Sequence, residues 1–324
     1  MNKLALVVSI ALASSTVVAE DVNFSNYSDK LGSKLSADNQ SVILQSNNTT
    51  SSVVIEQGKL GSYDMNVSVV DMRLQDWGRL NKVHVKQDGG FASAHDSLVK
   101  IGGTSGGADI AVDQRGYYND SEVKLSVDAD NNLVDVKQDN SERAKGNWSD
   151  VAISGASDFN KVDIDQVGSG NFSEVVISGG SSGSSANKQL IKVDQNGDNN
   201  ESFVKLYDNS VDNNVNINQD DDGHYSYVGV NGNLNDIDVK QSGKASHSDI
   251  NLYGESDSNI INVTQSGSYL GNKSEITLYA SSGNNSGNHI NSGIKGIRVN
   301  QTGVDVSTIV MNNSTNSAIY VNQQ

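Results

Sequence analysis

The sequence predicts an all-β chain folded as a β-solenoid of about eleven stacked strand-turn-strand coils. Three observations carry that prediction. The pattern Val/Ile-x-Val/Ile-x-Gln occurs eleven times, closing at Gln57, Gln87, Gln114, Gln138, Gln166, Gln195, Gln219, Gln241, Gln265, Gln301 and Gln323. A second pattern, Ser-x-Val/Ile-x-aliphatic, follows nine of these, opening at Ser97, Ser121, Ser149, Ser173, Ser202, Ser226, Ser248, Ser274 and Ser307. The 324 residues include no proline, where average usage would give roughly 16. Proline has no N–H for a β-ladder and is kept out of central strands.

Composition alone would point elsewhere. Hydrophobic residues make up only 35% of the chain and glycine is abundant at 31 residues, a mixture often seen in disordered segments. Here the apolar residues are gathered at period-two positions, as half-buried strands require. A solenoid also needs no single large core, since each coil packs only on its neighbours. The net charge of −16 argues against nucleic acid as a partner. There is no cysteine, so disulfides contribute nothing.

Taken in order, residues 1–19 read as an export signal. Lys3 supplies the positive start, Leu4 to Ala13 the short apolar run, and Val17-Val18-Ala19 the small-residue end. Cleavage is expected between Ala19 and Glu20. Loss of Lys3 leaves 22 basic against 39 acidic residues, a net charge of −17. Residues 20–50 form a polar N-terminal segment, and the repeat domain runs over 51–324.

Each coil follows from its spacing. Residues at alternate positions of a strand share a face. The aliphatic pair and the glutamine therefore point the same way, joined six residues before the glutamine by Asn81, Asn132, Asn160, Asn213, Asn235 or Asn259. Two residues after the glutamine stands a glycine in seven coils, and Asn140 or Asp221 in two more. These residue types tolerate the positive φ of a tight turn. The serine strand follows, and its aliphatic pair meets the first. The next coil stacks about 4.8 Å above, so identical residues lie over one another. Glutamine and asparagine then form amide ladders, each side chain donating to one neighbour and accepting from the other. Between coils, 179–188 and 280–293 are rich in Ser, Gly and Asn and read as surface loops. Outward positions carry both charge signs, as at Glu56, Lys86, Asp113, Lys137 and Asp165, and read either as a solvated face or, at Asp and Gly, as gatekeepers that slow premature stacking.

Catalytic and metal chemistry are not expected. His84, His95, His224, His247 and His289 recur at no common repeat position and lack a zincin spacing. Asp128 to Asn132 begins like an EF-hand loop but continues with Leu133 where glycine is needed. Asp220-Asp221-Asp222 follows a strand as a turn would. Trp77 and Trp148 fall in loops. No nucleophile–base set or carboxylate pair stands out, so the chain is read as a non-enzyme without cofactor.

The repeat resembles that of the curlin family, the subunits of curli fibres, whose coils read approximately S-x5-Q-x-G followed by N-x5-Q. Asn213 to Gln219, Asn235 to Gly243 and Asn259 to Gly267 resemble the first half, with Asn in place of the leading Ser. The likeness runs from about Ser51 to the C-terminus. The second strand departs from it, opening with Ser and carrying Gly103, Gly155, Gly179, Gly232 or Gly254 at the place of the family's second glutamine. The resemblance implies a secreted functional amyloid that leaves through a dedicated outer-membrane pore. It would polymerise at the cell surface with itself and other curli-like subunits, and support biofilm and adhesion. Asp21–Ser41 would sit at the place of a secretion leader. The alternative expectation is a monomeric secreted β-solenoid acting as an adhesin or binding protein.

Overall fold

The structure, a computed structural model, describes residues 8–11, 39–45, 51–58, 66–72, 80–89, 94–103, 105–126, 128–143, 145–179, 188–207, 210–253, 257–267, 270–279, 296–312 and 318–324. Ala19, Glu20, Met65, Trp77 and His289 lie outside them. Among the described residues there is no helix. The strands are β1 (Val8–Ala11), β2 (Gln40–Gln45), β3 (Ser52–Gln57), β4 (Val67–Met72), β5 (Lys82–Gly89), β6 (Asp96–Ile101), β7 (Asp109–Gly116) and β8 (Asp120–Ser126). Then come β9 (Leu133–Asn140), β10 (Trp148–Ser154), β11 (Lys161–Val167), β12 (Phe172–Ser178), β13 (Leu190–Asn196), β14 (Glu201–Leu206), β15 (Asn214–Asp220) and β16 (Tyr225–Val230). The last are β17 (Asp236–Gly243), β18 (His247–Tyr253), β19 (Ile260–Gly267), β20 (Lys273–Tyr279), β21 (Ile297–Gly303), β22 (Val306–Asn312) and β23 (Ile319–Gln323).

These strands form a β-solenoid with two parallel sheets. From β3 onward the chain alternates between them, so each strand pairs with the strand two places on. The glutamine strands form one sheet of 11, from β3 to β23, and the serine strands, with β1 and β2, form one of 12. Register is set by the repeat: Gln166 faces Gln138 and Gln195, and Ser149 faces Ser121 and Ser173. A one-residue slip would turn every aliphatic pair to solvent, which fixes the pairing strongly.

The core is the seam between the sheets. Val162 and Ile164 of β11 and Val175 and Ile177 of β12 are wholly buried, and the other coils repeat this. Burying each such side chain stabilises the fold by roughly 1.5–3 kcal/mol. Burial is incomplete at the outermost glutamine strands, where Val53 and Ile55 of β3 and Ile319 and Val321 of β23 are partly buried.

Two boundaries differ from the expectation. Within 20–50, Gln40–Gln45 is a strand of the serine-side sheet, with Val42 over Val69 and Leu44 over Asp71. Its Ile43 continues the core column over Val70, although the segment around it is polar. Trp148, read as a loop residue, opens β10. It directly precedes Ser149, and its place in the ladder is taken in neighbouring strands by Asp120 and Phe172.

Candidate functional site: stacked polar columns

All eleven glutamines fall in one column on the inner face of their sheet. Each Nε2 donates to the Oε1 of the next coil's glutamine. The ten bonds run from Gln57 to Gln323 without a break, at 2.8–3.1 Å. The second N–H of the amide crosses the seam. Gln138 donates to the Asp120 carbonyl, Gln166 to Trp148, Gln195 to Phe172 and Gln219 to Glu201, at 2.9–3.1 Å. Each buried amide thus satisfies both donors and its acceptor, which offsets a desolvation cost otherwise of about 1–3 kcal/mol for each unpaired group. The column therefore binds coil to coil and also sheet to sheet.

The asparagines six residues earlier form a column of different chemistry. The expected side-chain amide ladder forms from Asn213 to Asn259, where Asn235 Nδ2 donates to Asn213 Oδ1 at 2.9 Å and Asn259 Nδ2 to Asn235 Oδ1 at 2.8 Å, and along the column the side-chain oxygen also accepts the backbone N–H of the coil above. Asn132 Oδ1 accepts from Asn160 N–H at 2.9 Å, Asn213 from Asn235 at 2.9 Å, and Asn235 from Asn259 at 3.0 Å. The reason is position. These residues precede their strands, so the N–H above them lies within reach. At this place Gln189 continues the column, accepting from Asn213 N–H at 3.0 Å, and Ala108 interrupts it, giving its own N–H to Asn81 Oδ1 at 2.8 Å.

A third column, missed in the sequence, runs two residues before each serine: Asn66, His95, Asn119, Asn147, Asn171, Asn200, His224, Ser246, Asn272 and Asp305. Here too a side-chain acceptor takes the next backbone N–H, as Asn147 Oδ1 does from Asn171 at 3.0 Å and Asn171 Oδ1 from Asn200 at 3.0 Å. The amide nitrogen ties down the turn above: Asn171 Nδ2 reaches the Gly197 carbonyl at 2.8 Å, and Asn200 Nδ2 that of Asp221 at 2.8 Å. The motif Asn-x-Ser, present at Asn119, Asn147, Asn171 and Asn200, was the available signal.

This column corrects the reading of the histidines. His95 and His224 do share a repeat position. His95 Nδ1 accepts from Asn119 N–H at 3.2 Å, and His224 Nδ1 from Ser246 N–H at 3.1 Å. His224 Nε2 stands 2.8 Å from the Asp220 carbonyl. With Nδ1 accepting, Nε2 carries the proton and the ring is neutral. Burial lowers the His224 pKa, which suits that state.

The turns match the columns. Gly168 and Gly197 follow their glutamines by two residues at φ of 108° and 131°. A Cβ on either would meet a carbonyl oxygen of the coil above at 2.1 Å. Asp221 takes the same place at φ 77°, and its Oδ2 accepts the Gly243 N–H at 3.0 Å. The serine column is also buried, yet the hydroxyls of Ser97, Ser121, Ser149, Ser226, Ser248 and Ser274 find no partner. What that place selects is a small side chain under the adjoining strand.

On the outside, charges pair two residues apart along one strand: Lys137 with Asp135 at 2.7 Å, Lys192 with Asp194 at 2.6 Å, and Lys240 with Asp238 at 2.9 Å. Such exposed pairs are worth little. Like charges also stack. Asp96 lies over Asp120 in register. Desolvation raises Asp96 to about 6, and desolvation with the Asp96 charge raises Asp120 to about 7. His84 is exposed, 3.8 Å from Glu56. Among the described residues no group of His, Asp and Glu is arranged to hold a metal ion. No family model matches the chain, and no curated protein matches it.

Proposed function

We propose that this chain is a structural subunit of a secreted, self-stacking fibre of the curlin kind, and not an enzyme. Counted as one coil to each glutamine, the rod has eleven coils. The observation that carries the reading is the state of its ends. The aliphatic pairs of the glutamine strands β5 to β21 are exposed by 2% or less, whereas Val53, Ile55, Ile319 and Val321 of β3 and β23 are only partly buried. In the last described coil Gln323 accepts from Gln301 at 3.1 Å and donates to the Val306 carbonyl at 3.1 Å. A sheet edge of this kind is a template for another strand, and another copy of the chain supplies the matching residues. By the resemblance to curlins, the subunit would pass an outer-membrane pore and assemble with itself and related subunits at the cell surface. There the fibre would support adhesion and biofilm. The test is incubation of the chain from Glu20 onward, seeded and unseeded. Thioflavin-positive fibres with a reflection at about 4.7 Å along the axis are expected. A folded monomer that persists for days in sedimentation would instead establish the solenoid adhesin.

A further inference from the structure

The outer face of the serine-side sheet carries a run of rings that neither the fold nor fibre stacking requires. Trp148, Phe172, Phe203, Tyr225 and His247 stand on five successive strands, β10 to β18. Their centroids follow at 5.5, 5.3, 5.6 and 4.5 Å. Trp148 meets Phe172 edge-on at 72°, while Tyr225 and His247 are stacked at 13°. The rings line the solvent side of the sheet, with Trp148 49% exposed and the others half-buried. One contact per coil gives an apolar stripe about 19 Å long, parallel to the rod axis at the strand spacing.

Carboxylates border the stripe. Asp120 continues its column below Trp148, and Glu201 stands between Phe172 and Tyr225 in register. Asp150 lies two residues from Trp148 on the same face of the strand. Its Oδ1 is cut off from solvent and accepts no hydrogen bond, a costly state for an acceptor. Lysines answer Glu122 and Glu174, through Lys124 at 2.7 Å and Lys205 at 3.2 Å.

We infer that this stripe binds a linear cationic glycan, a polymer of glucosamine, laid along the rod axis. The column of rings gives the pyranose units an apolar surface, and the exposed indole of Trp148 attracts ammonium groups through its π-electron density. The carboxylates pair with the same ammonium groups and accept hydroxyl protons. A stripe repeating once per coil fits an extended polymer better than a compact ligand, and the surrounding acid excludes uronic-acid polymers and nucleic acid. The inference is independent of self-assembly, since the stripe lies on the side of the rod and not at its ends.

The test uses the chain from Glu20 onward with Trp77→Phe, which leaves Trp148 as the one tryptophan, and titrates it with a glucosamine hexamer. Quenching or a shift of Trp148 emission is expected, with binding weakened about tenfold by Phe203→Ala with Tyr225→Ala. The N-acetylglucosamine hexamer, cellohexaose and hexalysine serve as comparisons, each expected to bind more weakly. Circular dichroism checks the fold of the double variant. Should that variant misfold, single Phe203→Leu and Tyr225→Leu variants in the same titration take its place. An unchanged Trp148 signal, equal binding by variants that remain folded, or equal binding of hexalysine would each overturn the inference, the last assigning the surface to basic peptides.

Discussion

Replacing Gln195 by leucine removes one rung from the middle of the glutamine column at nearly constant volume. Gln195 takes part in three hydrogen bonds: it accepts from Gln166 at 2.8 Å and donates to Gln219 at 2.8 Å and to the Phe172 carbonyl at 3.0 Å. Leucine satisfies none of them. Gln166 keeps its bond to Trp148 but holds one N–H against a methyl group, and Gln219 Oε1 loses its donor. With about 1–3 kcal/mol for each buried group left unpaired, the loss comes to about 3–5 kcal/mol. The same change at Gln323 removes its bonds to Gln301 and Val306 at a half-exposed end, where water replaces them, and costs less than about 1 kcal/mol. Urea unfolding of the freshly diluted monomer measures both. In a stack coupled only between neighbours, the central variant should also broaden the transition, as the two halves begin to unfold separately. Equal shifts for Gln195→Leu and Gln323→Leu, or a central loss under about 1 kcal/mol, would refute the ladder as a source of stability.

Three further outcomes follow from the columns. Gly197→Ala places a methyl 2.1 Å from the Asp221 carbonyl at φ 131°, and thermal unfolding should show a loss of more than about 2 kcal/mol. Ser149→Ala removes a buried hydroxyl that has no partner, so its urea midpoint should be unchanged or slightly raised. The raised pKa of Asp120, about 7 against the ordinary 3.8, means that the folded chain holds a proton the unfolded chain has released. Its contribution is therefore full below pH 3.8 and lost as pH rises through about 7. Asp120→Asn should accordingly be the more stable protein at pH 8, by a margin on the order of a few kcal/mol, and equal to the parent near pH 4. A gap of constant size across that range would contradict the assignment.

The parts of this fold legible in the sequence are those where the structure demands one residue type. The aliphatic pairs repeat with period two because large apolar side chains are needed to fill the seam. The glutamines repeat because one side chain must both give and receive an amide hydrogen bond. The column before the serines was illegible because its demand is looser. Asparagine Oδ1 and histidine Nδ1 are acceptors the same number of bonds from Cβ, so His95 and His224 serve where Asn119 and Asn200 do. A search for identical residues finds asparagine interrupted by histidine, serine and aspartate, so the Asn-x-Ser repeat is broken along the chain. Similarly, Gln189 stands in for asparagine among the residues six before the glutamine. The rings escaped for another reason: Phe203 occupies a different register place from Phe172 and Tyr225, with Glu201 between them, so they meet only once the strands are stacked. Trp148 reads as a loop residue because no aliphatic alternation precedes it, yet β10 begins at that residue.

The amide groups of the glutamine column all face the same way, nitrogen toward the C-terminal end and oxygen toward the N-terminal end. Turning one of them over would set two oxygens against each other on one side and two nitrogens on the other. The orientation is therefore a property of the whole row, shared like the sense of a thread on a screw. Dipoles so aligned reinforce one another, and the rod acquires an arrow that runs from Gln57 to Gln323. Two rods brought together with arrows opposed would meet like to like.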